Sequence, residues 1–315
     1  MVKANYPKTI LEFAAQFHSD EVCFDYLIQS RWPDGFVCLK CKHKGGWWLA
    51  KYKRFECSAC HRQTSPLADT LMHRSHIPIR QWFWAAYLVA THTPGISAVQ
   101  LQRQLGIGQN ATAWFLLHRL RKGMVRDGRE LLQGVIEADE THVGGPAKGK
   151  KGRGVRAAEN KTLIAGAVEV IRFKNKKGKW EEKAGRLRLE TIHTASEVVI
   201  GKFLRDNVTV GSTVRSDGWR GYSEKAMCDY RHVRQVQGSP ERAKELAPHI
   251  HRVFSNLKSW LVGIHHGVDP KYLQSYLDEY VFRFNRRGKP MAAFQTLLGI
   301  TTSKKPLPLD LLTKP

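Results

Sequence analysis

Four cysteines in two closely spaced pairs constrain the N-terminal part of this chain more than any other feature. Cys38 and Cys41 form one C-x2-C pair, and Cys57 and Cys60 form a second pair, with fifteen residues between the two pairs. Each pair offers two thiolates from one tight turn, and the intervening GGWWLAKYKRF is predicted to form a hairpin that brings the turns together. Four thiolates suit one closed tetrahedral site for a structural Zn²⁺. The sequence therefore predicts a zinc ribbon at residues 33–70, with a redox pair or chance spacing as the alternative.

The two remaining cysteines have no such spacing. Cys23 and Cys228 are predicted to be small core residues. Six cysteines in a reducing compartment point to metal or free thiols rather than disulfides. An N-terminus without a long apolar core is not a secretory signal. We expect a cytoplasmic protein, associated with the nucleoid when it acts.

The charge balance points to a polyanionic partner. The 315 residues include 51 Lys and Arg against 28 Asp and Glu, a formal net charge of +23. Such an excess favours nucleic acid, because neutralising phosphates releases condensed counterions. The longest apolar run, WFWAAYLVA at 82–90, is far shorter than the roughly 20 residues of a membrane span. We therefore expect double-stranded DNA as the partner and no membrane association.

Helical segments flank the ribbon on both sides. Residues 1–32 predict two short helices, with Thr9 as an N-cap and Glu12 completing a capping box. Residues 71–128 predict three helices at 79–92, 97–105 and 110–122, with the glycines of LGIG at the last bend. This pattern is typical of a helix-turn-helix, whose second helix would place Arg119, Arg121 and Lys122 against DNA. A helical hairpin with a solvated basic face is the alternative.

The chain changes character after residue 128 and predicts a mixed α/β sheet with flanking helices at 129–290. Strands are expected at 134–145, 163–173, 185–194, 212–222 and 232–236, with a helix at 196–207 and two more after 248. The segment KNKKGKWEEKA is predicted to be a long hairpin loop. Residues 291–315 are expected to form a C-terminal tail.

Two acidic segments of this part are candidates for metal binding. In VIEADET, Glu137 and Asp139 share one face of the strand, whereas Glu140 points to the other. A buried strand does not tolerate three acids readily, unless they bind a cation or are paired. We expect Glu140 to pair with an Arg or Lys, and Glu137 to be an auxiliary candidate. Asp217 in SDGWRGY follows a predicted strand, where an Asp before Gly is also a common turn-former.

The helix HIHRVFSNLKSW at 249–260 has an apolar face and two polar flanks. One flank carries His251, Ser255 and Lys258, and the other carries His249, Arg252 and Asn256. His251 and Lys258 are seven positions apart, two helical turns, so both point the same way. Either flank can face the two carboxylates, and a solvated surface histidine is the plain alternative.

Several stretches, taken in order, resemble a known family. They are the four-cysteine ribbon with its sequel TSPLADTLMHRSHIPIRQWF, then EADETHVGG, SDGWRGY, HRVFSNLKSWLVGIHHGV and YLDEYVFRFNRR. The chain is similar to the DDE transposases of prokaryotic insertion sequences, in the branch with an N-terminal zinc ribbon. The resemblance implies an RNase H-like catalytic domain and two divalent ions, Mg²⁺ or Mn²⁺.

The resemblance also implies roles for individual residues. Asp139 and Asp217 match the first two ligands, and Lys258 matches the lysine that follows the third ligand by seven residues. His251 then stands where the family commonly has an acid, with Asn256 as the alternative. Histidine suits Mn²⁺ better than Mg²⁺ and adds no negative charge.

The implied activity is cleavage at the ends of a mobile element followed by strand transfer. The partners would be terminal inverted repeats and target DNA, held by a homodimer or a larger synaptic assembly. Lys258 would position phosphates, together with a glycine- and lysine-rich loop at 146–156 that carries Lys148, Lys150, Lys151 and Arg153. The alternatives are a non-catalytic DNA-binding protein with a decayed core and a structure-specific nuclease without strand transfer.

Overall fold

The protein forms two compact units. The computed structural model describes residues 6–144, 161–234 and 247–308. Unit 1 comprises the described residues of Met1–Arg126 and Arg286–Pro315, and unit 2 those of Asp127–Asn285. The predicted phosphate contacts Lys148, Lys150, Lys151 and Arg153 lie outside the described residues.

Unit 1 begins with the two predicted helices, α1 (Ile10–Gln16) and α2 (Asp20–Arg31). The hydroxyl of Thr9 accepts the backbone N–H of Glu12 at 3.1 Å, as a capping residue should. The carboxylate of Glu12 reaches back to the backbone N–H of Lys8 at 2.7 Å. The capping signal in the sequence therefore marked the start of α1 correctly.

The ribbon follows as a three-stranded antiparallel sheet, with β1 (Gly46–Leu49), β2 (Arg54–Cys57) and β3 (Gln63–Thr64) in that order. The predicted hairpin is confirmed, because β1 pairs with β2 from Gly46 opposite Cys57 to Leu49 opposite Arg54. A Cβ at Gly46 would lie 2.3 Å from the backbone oxygen of Glu56, so glycine is needed for this close pairing.

Three helices continue unit 1, and a fourth joins it from the far end of the chain. They are α3 (Ile79–Thr91), α4 (Ala98–Leu105), α5 (Asn110–Met124) and α9 (Pro290–Ser303). Phe294 of α9 is fully buried and its ring contacts the rings of Phe13, Phe17 and Phe83. The prediction of a C-terminal tail at 291–315 is therefore wrong for α9, which completes the core of unit 1. The ribbon and the helices also belong to one unit rather than to two.

The basic side of α5 is not the solvent-facing surface that the sequence suggested. Arg119 is 8% exposed and Arg121 is 1% exposed, whereas Lys122 is exposed. The guanidinium of Arg119 donates to the carbonyls of His73 and Leu307 and lies 4.4 Å from the centre of the Phe115 ring. Backbone carbonyls thus satisfy a buried cation that periodicity had assigned to DNA. The prediction that both arginines face DNA is corrected, and only Lys122 keeps that possibility.

Unit 2 contains a five-stranded mixed sheet in the part of the chain that the structure describes. Its strands are β4 (Val135–Val143), β5 (Thr162–Lys174), β6 (Trp180–Ile192), β7 (Thr213–Ser216) and β8 (Arg231–Arg234). The order is β6-β5-β4-β7-β8, with β4, β5 and β6 antiparallel and β7 and β8 parallel to β4. The predicted mixed sheet is confirmed.

The long loop predicted between β5 and β6 is instead a strand-forming hairpin. The two strands are thirteen residues each and pair as far as Lys174 opposite Trp180, which leaves only five residues for the turn. Lysine and glutamate are poor strand formers, so their abundance at 174–183 suggested a loop. Cross-strand pairing overrides this local preference.

Helices cover both faces of the sheet. One face packs against α6 (Glu197–Asn207), and the other packs against α7 (Pro248–His265) and α8 (Leu273–Asn285). The apolar face predicted for α7 is confirmed: Val253, Phe254, Leu257, Trp260 and Leu261 are buried. Among the described residues, no helix combines the length and apolar character that a bilayer crossing requires.

Candidate metal and nucleic-acid sites

The four cysteines of the ribbon converge on one point. Their sulfur atoms all lie within 4.8 Å of one another, with Cys38 3.7 Å from Cys60 and Cys41 3.6 Å from Cys57. A tetrahedron with Zn–S bonds of about 2.3 Å requires sulfur atoms about 3.75 Å apart. The arrangement therefore fits one tetrahedral ion, and no sulfur pair is joined as a disulfide.

Backbone amides prepare two of these thiols to bind as thiolates. The backbone N–H of Cys41 is the main cause that lowers the pKa of Cys38 to about 6, and the N–H of Cys60 lowers the pKa of Cys57. Such N–H···S contacts orient the ligands and stabilise their negative charge.

Of the other two cysteines, Cys23 is buried as predicted, whereas Cys228 is exposed, so the prediction of a core residue is wrong for Cys228.

The sheet of unit 2 brings the two predicted aspartates to the same level. Asp139 lies in the middle of β4, and β4 pairs with β7 in parallel, with Glu137 opposite Arg215. Two residues further along each strand, the same register aligns Asp139 with Asp217, which directly follows β7. Neighbouring strands are about 4.8 Å apart, so the two carboxylates can reach a common space.

A cavity of about 700 Å³ occupies that space. Asp139, Glu140, Asp217 and Trp219 are among the residues that line it. The carboxylate of Asp217 accepts the backbone N–H of Trp219 at 2.9 Å, which holds it at the strand end. The crevice beyond the carboxyl ends of parallel strands is where ligands bind in open α/β sheets.

His251 joins this site from the first turns of α7. Its Nε2 atom lies 3.1 Å from Oδ2 of Asp139, and the hydrogen bond to Asp139 raises the pKa of His251. A neutral imidazole presents a lone pair in place of the proton, so Asp139 and His251 can ligate the same cation. The structure thus brings the first and third predicted positions into contact.

Glu137 fixes the helix that carries His251. Its side chain is fully buried, and Oε2 accepts the backbone N–H groups of His249 at 2.8 Å and Ile250 at 3.0 Å. These N–H groups belong to the start of α7, where helical donors lack partners within the helix and where negative charge is stabilised. One strand therefore carries Asp139 and, two residues earlier, the carboxylate that holds α7 in place. No local sequence pattern signals this contact, because Glu137 and His249 are 112 positions apart.

Gly166 allows α7 to approach the sheet at the level of the site. It pairs with Asp139 across β4 and β5. A Cβ at this position would lie 2.8 Å from the ring of Phe254 and 3.0 Å from Ile250. A larger residue would push against α7 and so against the approach of His251 to Asp139.

Glu140 points to the opposite face from Asp139, as strand alternation predicts, but its partner differs from the expected Arg or Lys. Its carboxylate accepts the hydroxyl of the buried Tyr222 at 2.5 Å. Burial raises the pKa of Glu140 to about 7, and the charges of Asp139 and Asp217 act in the same direction. Glu140 is thus a buried, hydrogen-bonded acid beside the two aspartates.

Two of the three remaining candidates on α7 are solvent-facing. Lys258 and Asn256 are both exposed, and His249 is buried. Lys258 follows His251 by two turns on the same side of the helix. Among the described residues, the four cysteines are the only group of three or more His, Cys, Asp or Glu whose ligand atoms cluster closely enough to be identified as a metal site.

Comparison with known proteins identifies two domains in this chain. The profile of the ISXO2-like transposase domain matches residues 131–285, and that of the transposase zinc-ribbon domain matches residues 18–63. A protein of Halobacterium salinarum, described as an uncharacterized protein in transposable element ISH50, is 24% identical over 298 residues, which cover 90% of this chain and 97% of the relative. With the two domains matched in this order, the chain belongs to the insertion-sequence transposases that carry an N-terminal zinc ribbon.

Proposed function

We propose that the chain is a divalent-metal-dependent DNA transposase whose unit 2 cuts and joins phosphodiesters at Asp139, Asp217 and His251. The observation that carries the proposal is the 3.1 Å contact between His251 and Asp139 in a site whose cavity Asp217 also lines. The sheet order, three antiparallel strands followed by two parallel ones, supports an RNase H-like fold for this unit.

The donor set fits a hard or borderline divalent cation. Asp139 and Asp217 supply carboxylate oxygens, which Mg²⁺ and Mn²⁺ both accept. His251 supplies a nitrogen, which Mn²⁺ accepts more readily than Mg²⁺. Two such ions, when bound, would generate a nucleophile from water and offset the charge of the phosphate under attack.

Each side chain of the site has a separate proposed role. Asp139 and Asp217 would hold the cations, and Glu137 keeps α7 against β4 so that His251 stays at Asp139. Glu140 lines the cavity beside Asp139, and its hydrogen bond from the Tyr222 hydroxyl fixes the position of its carboxylate. Lys258, exposed on the same side of α7 as His251, is placed to contact a phosphate of the bound strand.

Unit 1 would recognise the ends of the element. The four-cysteine ribbon is proposed to hold one Zn²⁺, and Lys122 of α5 is the remaining exposed candidate of the predicted basic face. Joining two DNA ends to a target requires two active sites at once, so we propose a dimer or a larger assembly on DNA. Terminal inverted repeats and target DNA remain the proposed partners, and Lys148, Lys150, Lys151 and Arg153 remain proposed phosphate contacts.

The test is a cleavage and joining reaction. Purified protein is incubated with duplex DNA carrying the element's ends, in Mg²⁺ or in Mn²⁺, and the products are separated on a denaturing gel. We expect new 3′-hydroxyl ends and joined products, with faster reaction in Mn²⁺ and none after chelation of the divalent ion. DNA binding without any cleavage in either metal would contradict the proposal and favour a non-catalytic DNA-binding protein. Cleavage without joining would favour a nuclease.

A further inference from the structure

The hairpin of β5 and β6 carries a dense group of exposed cations. Between residues 171 and 183 the structure exposes six basic side chains: Arg172, Lys174, Lys176, Lys177, Lys179 and Lys183. The two acids of this stretch are already engaged, because Glu182 pairs with Arg215 and Glu181 accepts the side chain of Asn175. The hairpin therefore presents a net positive surface to solvent.

The turn at the tip is built to hold its lysines in place. The side-chain oxygen of Asn175 accepts the backbone N–H groups of Lys177 and Lys179 at 2.9 and 3.0 Å. Gly178 adopts a φ of +76°, a conformation that glycine enters at low cost. Because the turn is closed by its own hydrogen bonds, Lys176, Lys177 and Lys179 project from an ordered turn.

An exposed tryptophan lies among these cations. Trp180 is 53% exposed, with the guanidinium of Arg172 5.0 Å and the ammonium of Lys174 5.2 Å from its ring centre. The ring is therefore accessible to a partner at the same surface as the cations. Basic side chains with an interleaved aromatic ring suit the phosphates and the sugars or base edges of nucleic acid.

The hairpin stands at a fixed distance from the candidate active site within unit 2. Gly166 of β5 lies opposite Asp139, and Asn175 at the tip is nine residues further along the chain. At about 3.3 Å per residue, this separation is about 30 Å. One turn of B-form DNA spans about 34 Å, so a duplex that occupies the site and extends towards the tip of the hairpin meets it about one turn away.

From these relationships we propose that the β5–β6 hairpin is a second duplex-DNA contact, which grips the phosphate backbone about one helical turn from the bond that is cut. The inference rests on the proposed function, because it takes the site at Asp139 as the point where DNA is held. The chemistry is that of a duplex phosphate backbone, contacted by Lys176, Lys177 and Lys179 and steadied by Trp180.

The test compares two triple variants of the full-length, zinc-loaded protein. One removes the tip lysines (K176A/K177A/K179A), and the other removes three exposed lysines elsewhere in unit 2 (K202A/K225A/K271A). Both lower the net charge equally, and both leave Asn175 and Gly178 unchanged. Binding is measured by fluorescence anisotropy across a salt series, with duplexes that extend about 5 or about 20 base pairs on either side of the cleavage position.

We expect the wild type and the control triple variant to bind the long duplex more tightly than the short one. The tip variant should bind the long duplex at least about tenfold more weakly, with a salt slope reduced by about 3 units, and should bind the short duplex as the wild type does. Trp180→Ala should weaken binding to the long duplex without changing the slope.

The outcomes separate this inference from the proposed function. Wild-type cleavage together with equal affinities for the tip and control variants would overturn the hairpin contact and leave the function standing. Length-dependent binding lost only in the tip variant, without cleavage by the wild type, would support the contact and contradict the function. A tip variant whose sedimentation changes while its DNA affinity does not would overturn the inference in favour of a protein interface.

Discussion

The Nε2 atom of His251 lies 3.1 Å from Oδ2 of Asp139. This contact joins the first turns of α7 to the middle of β4, and it depends on two other features of the same strands. Glu137 holds the N-terminus of α7 through two backbone N–H groups, and Gly166 leaves room for Phe254. The fold therefore holds His251 of α7 beside the carboxylate of Asp139.

His251, rather than Asn256, should be needed for cleavage. We expect His251→Ala to lower the cleavage rate by about 100-fold, the upper range for disturbing a metal site, because the site loses a donor beside Asp139. Asn256→Ala, on an exposed position of the same helix, should stay within about twofold of wild type. Single-turnover rates in Mn²⁺ measure both, and loss of activity in the Asn256 variant alone would show that the other flank of α7 faces the site.

His251→Glu tests what the imidazole contributes. A carboxylate adds an oxygen donor and a negative charge, so this variant should react better in Mg²⁺ relative to Mn²⁺ than the wild type does. The ratio of the two rates is the measurement. An unchanged ratio, together with an active His251→Ala variant, would mean that the residue does not touch the metal.

Glu137 should stabilise the protein by accepting hydrogen bonds from the start of α7 rather than through its negative charge. Glu137→Ala leaves two buried N–H groups without their acceptor and should lower the free energy of unfolding by about 3 kcal/mol. Glu137→Gln keeps an oxygen at the same place and should remain within about 1 kcal/mol of wild type. Urea unfolding measures both variants. Equal destabilisation by the two substitutions would show that the charge itself matters.

The ribbon should hold one zinc ion per chain. Cys38→Ser and Cys57→Ser each remove a thiol whose pKa is lowered by backbone N–H groups, so zinc content should fall well below one equivalent. Cys228→Ser, at an exposed cysteine outside the cluster, should keep the full equivalent. Atomic absorption after gel filtration gives the numbers. Full zinc occupancy in the Cys57 variant would contradict the assignment of the site.

A second buried acid of unit 2 should make stability depend on pH. Burial raises the pKa of Glu169, but hydrogen bonds from the Arg186 guanidinium and from the backbone N–H groups of Gln133 and Arg186 outweigh it, so the pKa is lowered. A lowered folded-state pKa means that this stabilisation is complete above the unfolded value of about 4.3 and is lost as pH falls through the folded value.

The matched variant is Glu169→Gln. At pH 7 its free energy of unfolding should be about 2 kcal/mol lower than that of the wild type, because the carboxylate that accepts charged hydrogen bonds from Arg186 is replaced by a neutral amide. The difference should shrink below pH 4 as Glu169 takes up a proton. A difference that stays constant from pH 7 to pH 3.5 in urea titrations would contradict this account.

Local signals in the sequence predicted the local elements well. The capping residue Thr9, the glycines of LGIG and the apolar period of α7 gave helix positions that the structure confirms to within a few residues. α9 also carries a local signal, Pro290 at its first turn before an apolar run.

Contacts between distant residues could not be predicted in this way. The helical period predicted that Arg119 faces DNA, because the period alone does not show which side of α5 is covered by the segments of His73 and Leu307. Similarly, the length of β5 and β6 depends on the pairing of the two strands. The hydrogen bonds from the start of α7 to Glu137 join residues that are 112 positions apart. Glu137 and Asp139 are recognisable because acids are costly to bury in a strand, and the roles of Asp217 and His251 follow from the resemblance to a family. The contact of Glu137 with α7 and the need for glycine at Gly166 carry no local signature.

The most direct test of the central claim is the cleavage of DNA carrying the element's ends by wild-type protein and by Asp139→Ala in Mn²⁺. Asp139 both contacts His251 and lines the cavity together with Asp217. We predict that the wild type cleaves and joins the ends and that Asp139→Ala retains zinc and DNA binding but produces no cleaved strand. Cleavage by Asp139→Ala at the wild-type rate would contradict the account.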